Sequence, residues 1–417
     1  MRAFAVLLCL LSINMVNAND KAQQIFQDLA PALFQIRLID KATSEKSSIG
    51  SGFQINSYGH IATNYHVISG YAQHPEKYLI EYEDHLGNKG QLHLKTVDVI
   101  NDLAIVVKQD NIGEQHFTLA EHIPEKGEEL YSLGNPHDLG MIVVPGTYNG
   151  LKKESFNERI HFTGSVNPGM SGGPVVNKAG EVIGINVATS GNQIGFLIPH
   201  SKLINLIAKF DEQVSLSYTQ QINQQLHQYQ SHLFSTLLSH DWPLKKFANA
   251  LIPDTGVNFI RCWGNSNADR PDELIFKAVT NCQMEEYVYL SDTLTTGNID
   301  MEFHYFDADQ LGANRFYQLY QGYISGAGPG NSASKEDVTE FACQHDIVES
   351  ASVAIRNKAI LCVRAYKKYQ GLYDIMYLSA SVDKTNSAIV GHYTLAGVNK
   401  DFAQAFNQRF MEAVKWN

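Results

Sequence analysis

One serine stands where its hydroxyl group could act as a nucleophile. The stretch Asn167–Pro174 has the sequence Asn-Pro-Gly-Met-Ser-Gly-Gly-Pro, so Ser171 has glycines on both sides. Glycine lets a peptide approach closely and allows the tight turns that aim successive N–H groups at one point. Because a serine alcohol is a weak nucleophile until a base removes its proton, this chemistry requires a base and a group that orients it. A Ser-Gly-Gly triplet alone is more typical of a flexible turn.

A histidine and an aspartate upstream are suited to these two roles. His66 ends the strand-like run that begins at Gly59, and Asp102 lies in an apolar, β-branched run. The chain order is His, Asp, Ser, with spacings of 36 and 69 residues (102 − 66 and 171 − 102). In this order the histidine acts as general base and acid, and the aspartate holds its tautomer. The pattern predicts acyl transfer from a peptide to water, a reaction that requires no metal or organic cofactor.

Seven sequence blocks, in the same order along the chain, resemble trypsin-fold serine proteases of the Deg/HtrA type over residues 32–207. The blocks are Gly50–Ile55, Thr63–Val67, Asn101–Ala104, Leu133–Pro136, the Ser171 stretch, Gly184–Asn186 and Gly195–Pro199. The resemblance implies an all-β domain of two six-stranded barrels with the active site between them. It also implies an oxyanion hole in the segment Gly169, Met170 and Ser171, with the backbone N–H groups of Gly169 and Ser171 as donors.

The resemblance further implies a substrate pocket with two walls. Its residues are Ser165, Val166, Val187, Ala188, Thr189 and Ser190. Serine at position 165 cannot neutralise a buried cation, so small or medium uncharged residues are expected before the cut bond. Val187 occupies a position where related proteases often carry a serine or threonine that supports the aspartate. Because valine cannot donate a hydrogen bond, we expect weaker support for Asp102.

The chain begins like an exported protein. Residues 1–18 combine Arg2, a short apolar run and a small-residue cleavage site, which predicts a signal peptide removed after Ala18. No later run is long and apolar enough for a membrane span. The net charge of −11 argues against a nucleic-acid partner. The mature protein is therefore expected in a periplasm or outside the cell, with a polypeptide as its substrate.

Four of the five cysteines remain after Cys9 leaves with the signal peptide. An even number in an exported chain predicts two disulfides, and buried free thiols are the alternative. Three connectivities are possible, of which Cys262–Cys282 with Cys343–Cys362 is favoured because each pair is close in sequence.

Periodicity divides the mature chain into an N-terminal helical arm (19–31), the protease domain (32–210), a linker (211–218) and an α+β domain (219–417). The last domain resembles no family that we recognise. It is predicted to open with a helix that carries Ile222 to Leu237 on one face and to include a strand at Val257–Arg261. The alternative to an enzyme is a peptide-binding or chaperone module that does not cleave, with the second domain as its functional part. The sequence leaves the oligomeric state open.

Overall fold

The computed structural model describes residues 18–109, 115–189, 193–209, 216–270, 272–350 and 353–417. The predicted signal peptide lies outside these residues except for Ala18, as do Ser190 and most of the predicted linker. Within the described residues, no helix has both the length and the apolar character needed to cross a membrane.

The N-terminal arm is helix α1 (Ala18–Leu29), followed by a short 3-10 turn at Ala30–Ala32. Its apolar face packs where the two barrels meet, and Ile25 shares a buried cluster with Phe53 of the first barrel and Leu133 of the second. The arm therefore contributes to an apolar core that both barrels share.

Twelve strands form two closed antiparallel barrels, as the resemblance implied. The first barrel contains β1 (Leu33–Asp40), β2 (Lys46–Gln54), β3 (His60–Thr63), β4 (Tyr78–Glu83), β5 (Lys89–Asp98) and β6 (Leu103–Lys108). The second contains β7 (Glu129–Gly134), β8 (Ile142–Leu151), β9 (Ile160–Thr163), β10 (Pro174–Val176), β11 (Val182–Thr189) and β12 (Gly195–Pro199). Helix α2 (Tyr65–Gln73) follows β3, and α3 (His200–Ala208) follows β12. Alternating and β-branched apolar residues fill each barrel, and closure leaves no free sheet edge.

A separate sheet-rich domain follows, and its described residues include three helices. The strands of its main sheet are β15 (Arg261–Ser266), β16 (Phe276–Gln283), β19 (Ile299–Asp307), β20 (Ala342–Ser350), β21 (Val353–Ala365), β22 (Tyr373–Ser381) and β23 (Ser387–Val398). They are hydrogen-bonded in the order β15-β16-β19-β23-β22-β21-β20. The smaller strands are β13 (Leu244–Phe247), β14 (Ala250–Pro253), β17 (Val288–Ser291), β18 (Leu294–Thr296) and β24 (Lys415–Trp416). The helices are α4 (Tyr218–Ser239), α5 (Ala313–Ile324) and α6 (Lys400–Ala413).

Helices cover both faces of this sheet. Phe303 on one face packs in a cluster with Phe410 of α6, whereas Phe306 on the other face packs with Phe316 and Tyr320 of α5. Helix α4 begins at a capping box formed by Ser217 and Gln220, which satisfies two backbone N–H groups at the helix end.

The predicted strand at Val257–Arg261 is wrong, since only Arg261 belongs to a strand there. Phe259 and Ile260 are buried, but they pack from a turn rather than from a sheet. The apolar run at these positions therefore reflects side chains that are buried in a turn, and it does not indicate a strand.

Both disulfides lie inside the second domain, in the two pairs that the sequence favoured. The sulfur atoms are 2.02 Å apart in Cys262–Cys282 and 1.99 Å apart in Cys343–Cys362. Each pair joins residues directly opposite in adjacent antiparallel strands, β15 with β16 and β20 with β21.

The second domain packs against the first barrel beside α2. The hydroxyl of Tyr65 donates to the carbonyl of Leu290 at 3.0 Å, and the amide of Gln73 donates to the hydroxyl of Tyr369 at 2.7 Å. Tyr65 also shares one buried apolar cluster with residues of the second domain, including Leu290. The helix that carries His66 is therefore packed between the first barrel and the second domain.

Candidate active site

The local sequence predicted His66 at the end of a strand. In the structure, His66 lies in the first turn of helix α2 instead. The strand ends at Thr63, and Asn64 begins the helix with an extended backbone. The Asn64 amide donates to the carbonyl of Asp102 at 2.8 Å, and the N–H of Tyr65 donates to the same oxygen at 3.2 Å. The start of the helix is therefore hydrogen-bonded directly to the backbone of Asp102.

Both carboxylate oxygens of Asp102 contact His66. The distance from His66 Nδ1 to Asp102 Oδ2 is 2.7 Å, and the His66 backbone N–H donates to Oδ1 at 2.8 Å. Asp102 has φ +59°, a left-handed conformation that is uncommon outside glycine and is found at functional sites. The side chain of Val187 cannot donate a hydrogen bond to this carboxylate. The backbone N–H of His66 donates one instead.

Hydrogen bonds from both barrels hold the backbone around Ser171. Ser51 of the first barrel donates its N–H to the carbonyl of Ser171 at 2.7 Å and its hydroxyl to the carbonyl of Gly169 at 2.7 Å. In the second barrel, the N–H of Gly172 donates to the carbonyl of Asn186 at 2.9 Å. Ser171 is therefore anchored at the junction between the barrels.

The loop that carries Ser171 lies against the segment that leads into His66. A Cβ atom built at Gly172 would lie 2.5 Å from the hydroxyl oxygen of Thr63 and 2.8 Å from the backbone nitrogen of Asn64. Such a close approach of two backbones requires glycine at this position. Because Thr63 and Asn64 come directly before α2, the loop that carries Ser171 is held beside the start of the helix that carries His66.

The candidate oxyanion hole lies in the segment of Gly169, Met170 and Ser171, of which the sequence named Gly169 and Ser171 as donors. The N–H of Met170 donates to the carbonyl of Asn167 at 2.9 Å within a tight turn, so this N–H is not available to an oxyanion. In the described part of the chain, the N–H groups of Gly169 and Ser171 have no acceptor. Gly169 has φ +95°, which L side chains rarely adopt. These two N–H groups are the donors that a developing oxyanion could use.

The six predicted pocket residues have different environments. Val187, Ala188 and Thr189 line a cleft of about 870 Å³ that also contains His66 and Asp102. Ser165 is exposed, whereas Val166 is only 5% exposed and packs with Met170 inside the second barrel. The sequence pattern did not separate a residue of the barrel core from a residue of the pocket surface. Ser190 lies outside the described residues.

The second domain contributes cleft residues that the sequence analysis missed. Tyr287, Tyr289 and Asp292 line the cleft together with His66. The ring of Tyr289 lies edge-on to the imidazole, with 6.2 Å between the ring centroids, and its hydroxyl donates to Asp292 Oδ1 at 2.6 Å. Nothing in the local sequence near β17 indicates this contact, because it depends on how the domains pack.

The environment of His66 favours its protonated form. Burial of the imidazole lowers its pKa, but the Asp102 carboxylate and, more weakly, that of Asp292 outweigh this effect. The pKa of His66 therefore lies above its ordinary value of 6.5. An imidazole of this kind accepts a proton readily, as a general base must.

Comparison with known proteins agrees with this geometry. Residues 50–185 match the trypsin-like peptidase domain. Over 171 residues the chain is 32% identical to a probable periplasmic serine endoprotease, DegP-like, of Chlamydia pneumoniae, a match that covers 38% of this chain and 34% of that protein.

Two further proteins are similar to part of this chain. A probable periplasmic serine protease, do/HhoA-like, of Haemophilus influenzae is 33% identical over 178 residues, covering 39% of this chain and 37% of its own length. The solved structure of the serine endoprotease from Yersinia pestis is 27% identical with a TM-score of 0.40, covering 45% of this chain and 66% of that one. The chain thus spans little more than a third of the length of these two curated relatives. The trypsin-like region is the part shared with Deg/HtrA proteases, and the second domain remains unassigned.

Proposed function

We propose that this chain is an exported serine endopeptidase that cuts unfolded or extended polypeptides. The observations that carry the proposal are the contact between His66 Nδ1 and Asp102 at 2.7 Å and the close approach of the Ser171 loop to Thr63 and Asn64, just before His66. The trypsin-like peptidase domain and the serine protease relatives support the same reaction.

The proposed reaction proceeds through an acyl-enzyme. Ser171 Oγ attacks the peptide carbonyl while Nε2 of His66 takes the hydroxyl proton, since Nδ1 is engaged by Asp102. The N–H groups of Gly169 and Ser171 stabilise the oxyanion. His66 then donates its proton to the leaving amine, and water releases the acyl group by the same steps in reverse order. Asp102 holds the imidazole tautomer and stabilises the imidazolium.

Export is part of the proposal. It is supported by the signal-like N-terminus, by the two disulfides of the second domain and by the periplasmic relatives. Disulfides persist in oxidising compartments such as the periplasm.

Digestion of an unfolded protein library, followed by sequencing of the new ends, tests both the activity and the pocket. We expect cuts after small or medium uncharged residues such as alanine, valine, threonine and serine, because the predicted wall residues that line the cleft beside His66, Val187, Ala188 and Thr189, carry no charge. The preference should be graded, since one methylene in a pocket is worth about 1–3 kcal/mol. Cutting mainly after arginine and lysine would show that an acid from elsewhere reaches the pocket. Absence of new ends would contradict the proposed activity itself.

The pH dependence of hydrolysis should report the environment of His66. Its raised pKa means that the neutral, active imidazole forms only at higher pH, so the acid limb of kcat/KM should lie above pH 6.5. The substitution Asp292→Asn removes one charge that favours the imidazolium, and it should move this limb to lower pH. A profile of kcat/KM between about pH 5 and pH 9 measures the shift.

The amide oxygen introduced by Asp292→Asn can still accept the hydrogen bond from Tyr289, so the local packing is preserved. Asp346→Asn is the matched control, because Asp346 is exposed on β20 and lies outside the cleft. An acid limb that moves equally in both variants, or in neither, contradicts a role for Asp292.

A further inference from the structure

The second domain forms hydrogen bonds with the segment that joins β8 to β9, and this segment borders the cleft. The Glu286 carboxylate accepts the N–H of Phe156 at 3.1 Å, the N–H of Asn157 at 3.0 Å and the hydroxyl of Ser155. The ring of Phe156 packs edge-on against that of Phe259, with 4.9 Å between the centroids. The second domain therefore fixes the position of this segment, which forms one wall of the cleft.

Two of the three cations at this wall have carboxylate partners. Lys152 lies 3.1 Å from Glu285 and 3.6 Å from Glu286. Arg261 lies 3.0 Å from Glu154 and 2.7 Å from Glu285. These ion pairs join the protease domain to the second domain, and they leave neither cation available for a ligand without breaking a pair.

Arg159 is the exception. It lines the cleft with His66 and is partly buried, yet no carboxylate among the described residues forms an ion pair with it. One of its donors bonds the carbonyl of Glu158 at 3.1 Å. Burial lowers the pKa of this guanidinium, and more distant carboxylates such as those of Asp102 and Glu286 offset only part of the effect.

The carboxylates nearest to Arg159 accept hydrogen bonds from other residues. Asp98 accepts from the side chain of Asn101 at 2.7 Å, Asp102 is bonded to His66, and Glu286 receives the three donors described above. A cation that lacks a partner while partly removed from water is costly. Guanidinium also matches the planar fork of a carboxylate.

We propose that Arg159 binds an acidic side chain of the substrate and is a specificity-determining residue of the proposed protease. The cleft also contains Val187, Ala188 and Thr189, the wall expected to receive the residue before the cut bond. The acidic residue therefore belongs on the same side, upstream of the bond. Val187, Ala188 and Thr189 are uncharged and line the place for the residue at the cut, so the acidic side chain is expected at a neighbouring position before it.

The test uses the full chain and matched peptides that carry glutamate, glutamine or lysine at each of the four positions before one cut bond. The wild-type protein should prefer glutamate over glutamine by about tenfold at one position, the scale of a charge-assisted hydrogen bond. In Arg159→Gln this ratio should fall to about one. In Arg159→Glu the preference should reverse toward lysine, which a purely structural role of Arg159 cannot produce. Lys178→Gln, which changes an exposed lysine outside the cleft, should keep the wild-type ratio.

The inference is overturned if the wild-type protein shows no preference for glutamate, if Arg159→Gln keeps the ratio, or if the variant slows the glutamate and glutamine peptides by the same factor. The inference rests on the proposed protease activity, so labelling of Ser171 by a fluorophosphonate is measured in parallel. Labelling without an acidic preference contradicts the inference alone, whereas absence of both labelling and hydrolysis contradicts the protease. Peptide affinity measured on Ser171→Ala, with and without Arg159→Gln, provides a readout that does not depend on turnover.

Discussion

Ser171→Ala abolishes peptide hydrolysis and leaves the fold intact, if Ser171 is the nucleophile. Removing the nucleophile of a serine protease triad lowers kcat by about a millionfold, and the residual rate comes from the oxyanion hole and substrate binding. The bonds that hold this loop run through backbone atoms of Gly169, Ser171 and Gly172, so an alanine side chain preserves them. Release of fluorescent fragments from a labelled unfolded protein measures the loss, and thermal unfolding checks the fold.

Ser57→Ala is the matched control, since Ser57 is exposed in the turn before β3 and lies outside the cleft. It should keep wild-type activity. Near-wild-type hydrolysis by purified Ser171→Ala, after contaminating proteases have been excluded, would show that another residue is the nucleophile.

Gly169→Ala should lower kcat by about a hundredfold to a thousandfold, the loss expected when one oxyanion donor is removed. A Cβ atom built at Gly169 would lie 2.3 Å from the carbonyl oxygen of Asn135 and 3.0 Å from the N–H nitrogen of His137. These are backbone atoms, so the 169–171 segment itself must move, and its N–H groups turn away from the site. Steady-state kinetics on an uncharged peptide measures the effect.

Gly127→Ala separates the clash from the backbone strain. Gly127 has φ +98°, close to the +95° of Gly169, but a Cβ there meets nothing within 4 Å. Both variants should lose about 1–2 kcal/mol of unfolding free energy from the positive φ, and only Gly169→Ala should lose activity. Equal activity in the two variants would contradict the assignment of Gly169 to the oxyanion hole.

The two barrels could be predicted from sequence because their signals are local. Short β-branched runs with glycine and proline between them indicate strands, and the seven blocks have a known order. The start of α2 was not predictable in this way. The run before His66 has strand-like residues, but Asn64 turns the chain into a helix because its amide is bonded to the carbonyl of Asp102, 38 residues later.

The second domain was less accessible to sequence reasoning. Strand β23 is buried along its whole length, so it lacks the alternation that marks a half-exposed strand. The contact of Tyr289 with His66 and the missing partner of Arg159 depend on packing between residues more than 100 positions apart in the chain. No short-range pattern contains that information.

The proposed activity depends on the activation of Ser171 by His66 in the folded chain. Reaction of the purified protein with a fluorophosphonate probe, followed by peptide mapping in a mass spectrometer, tests it most directly. We expect a single modified residue, Ser171, and loss of the modification in His66→Ala. No modification under any activating condition would favour a peptide-binding module that does not cleave, and modification at another serine would contradict the proposed site.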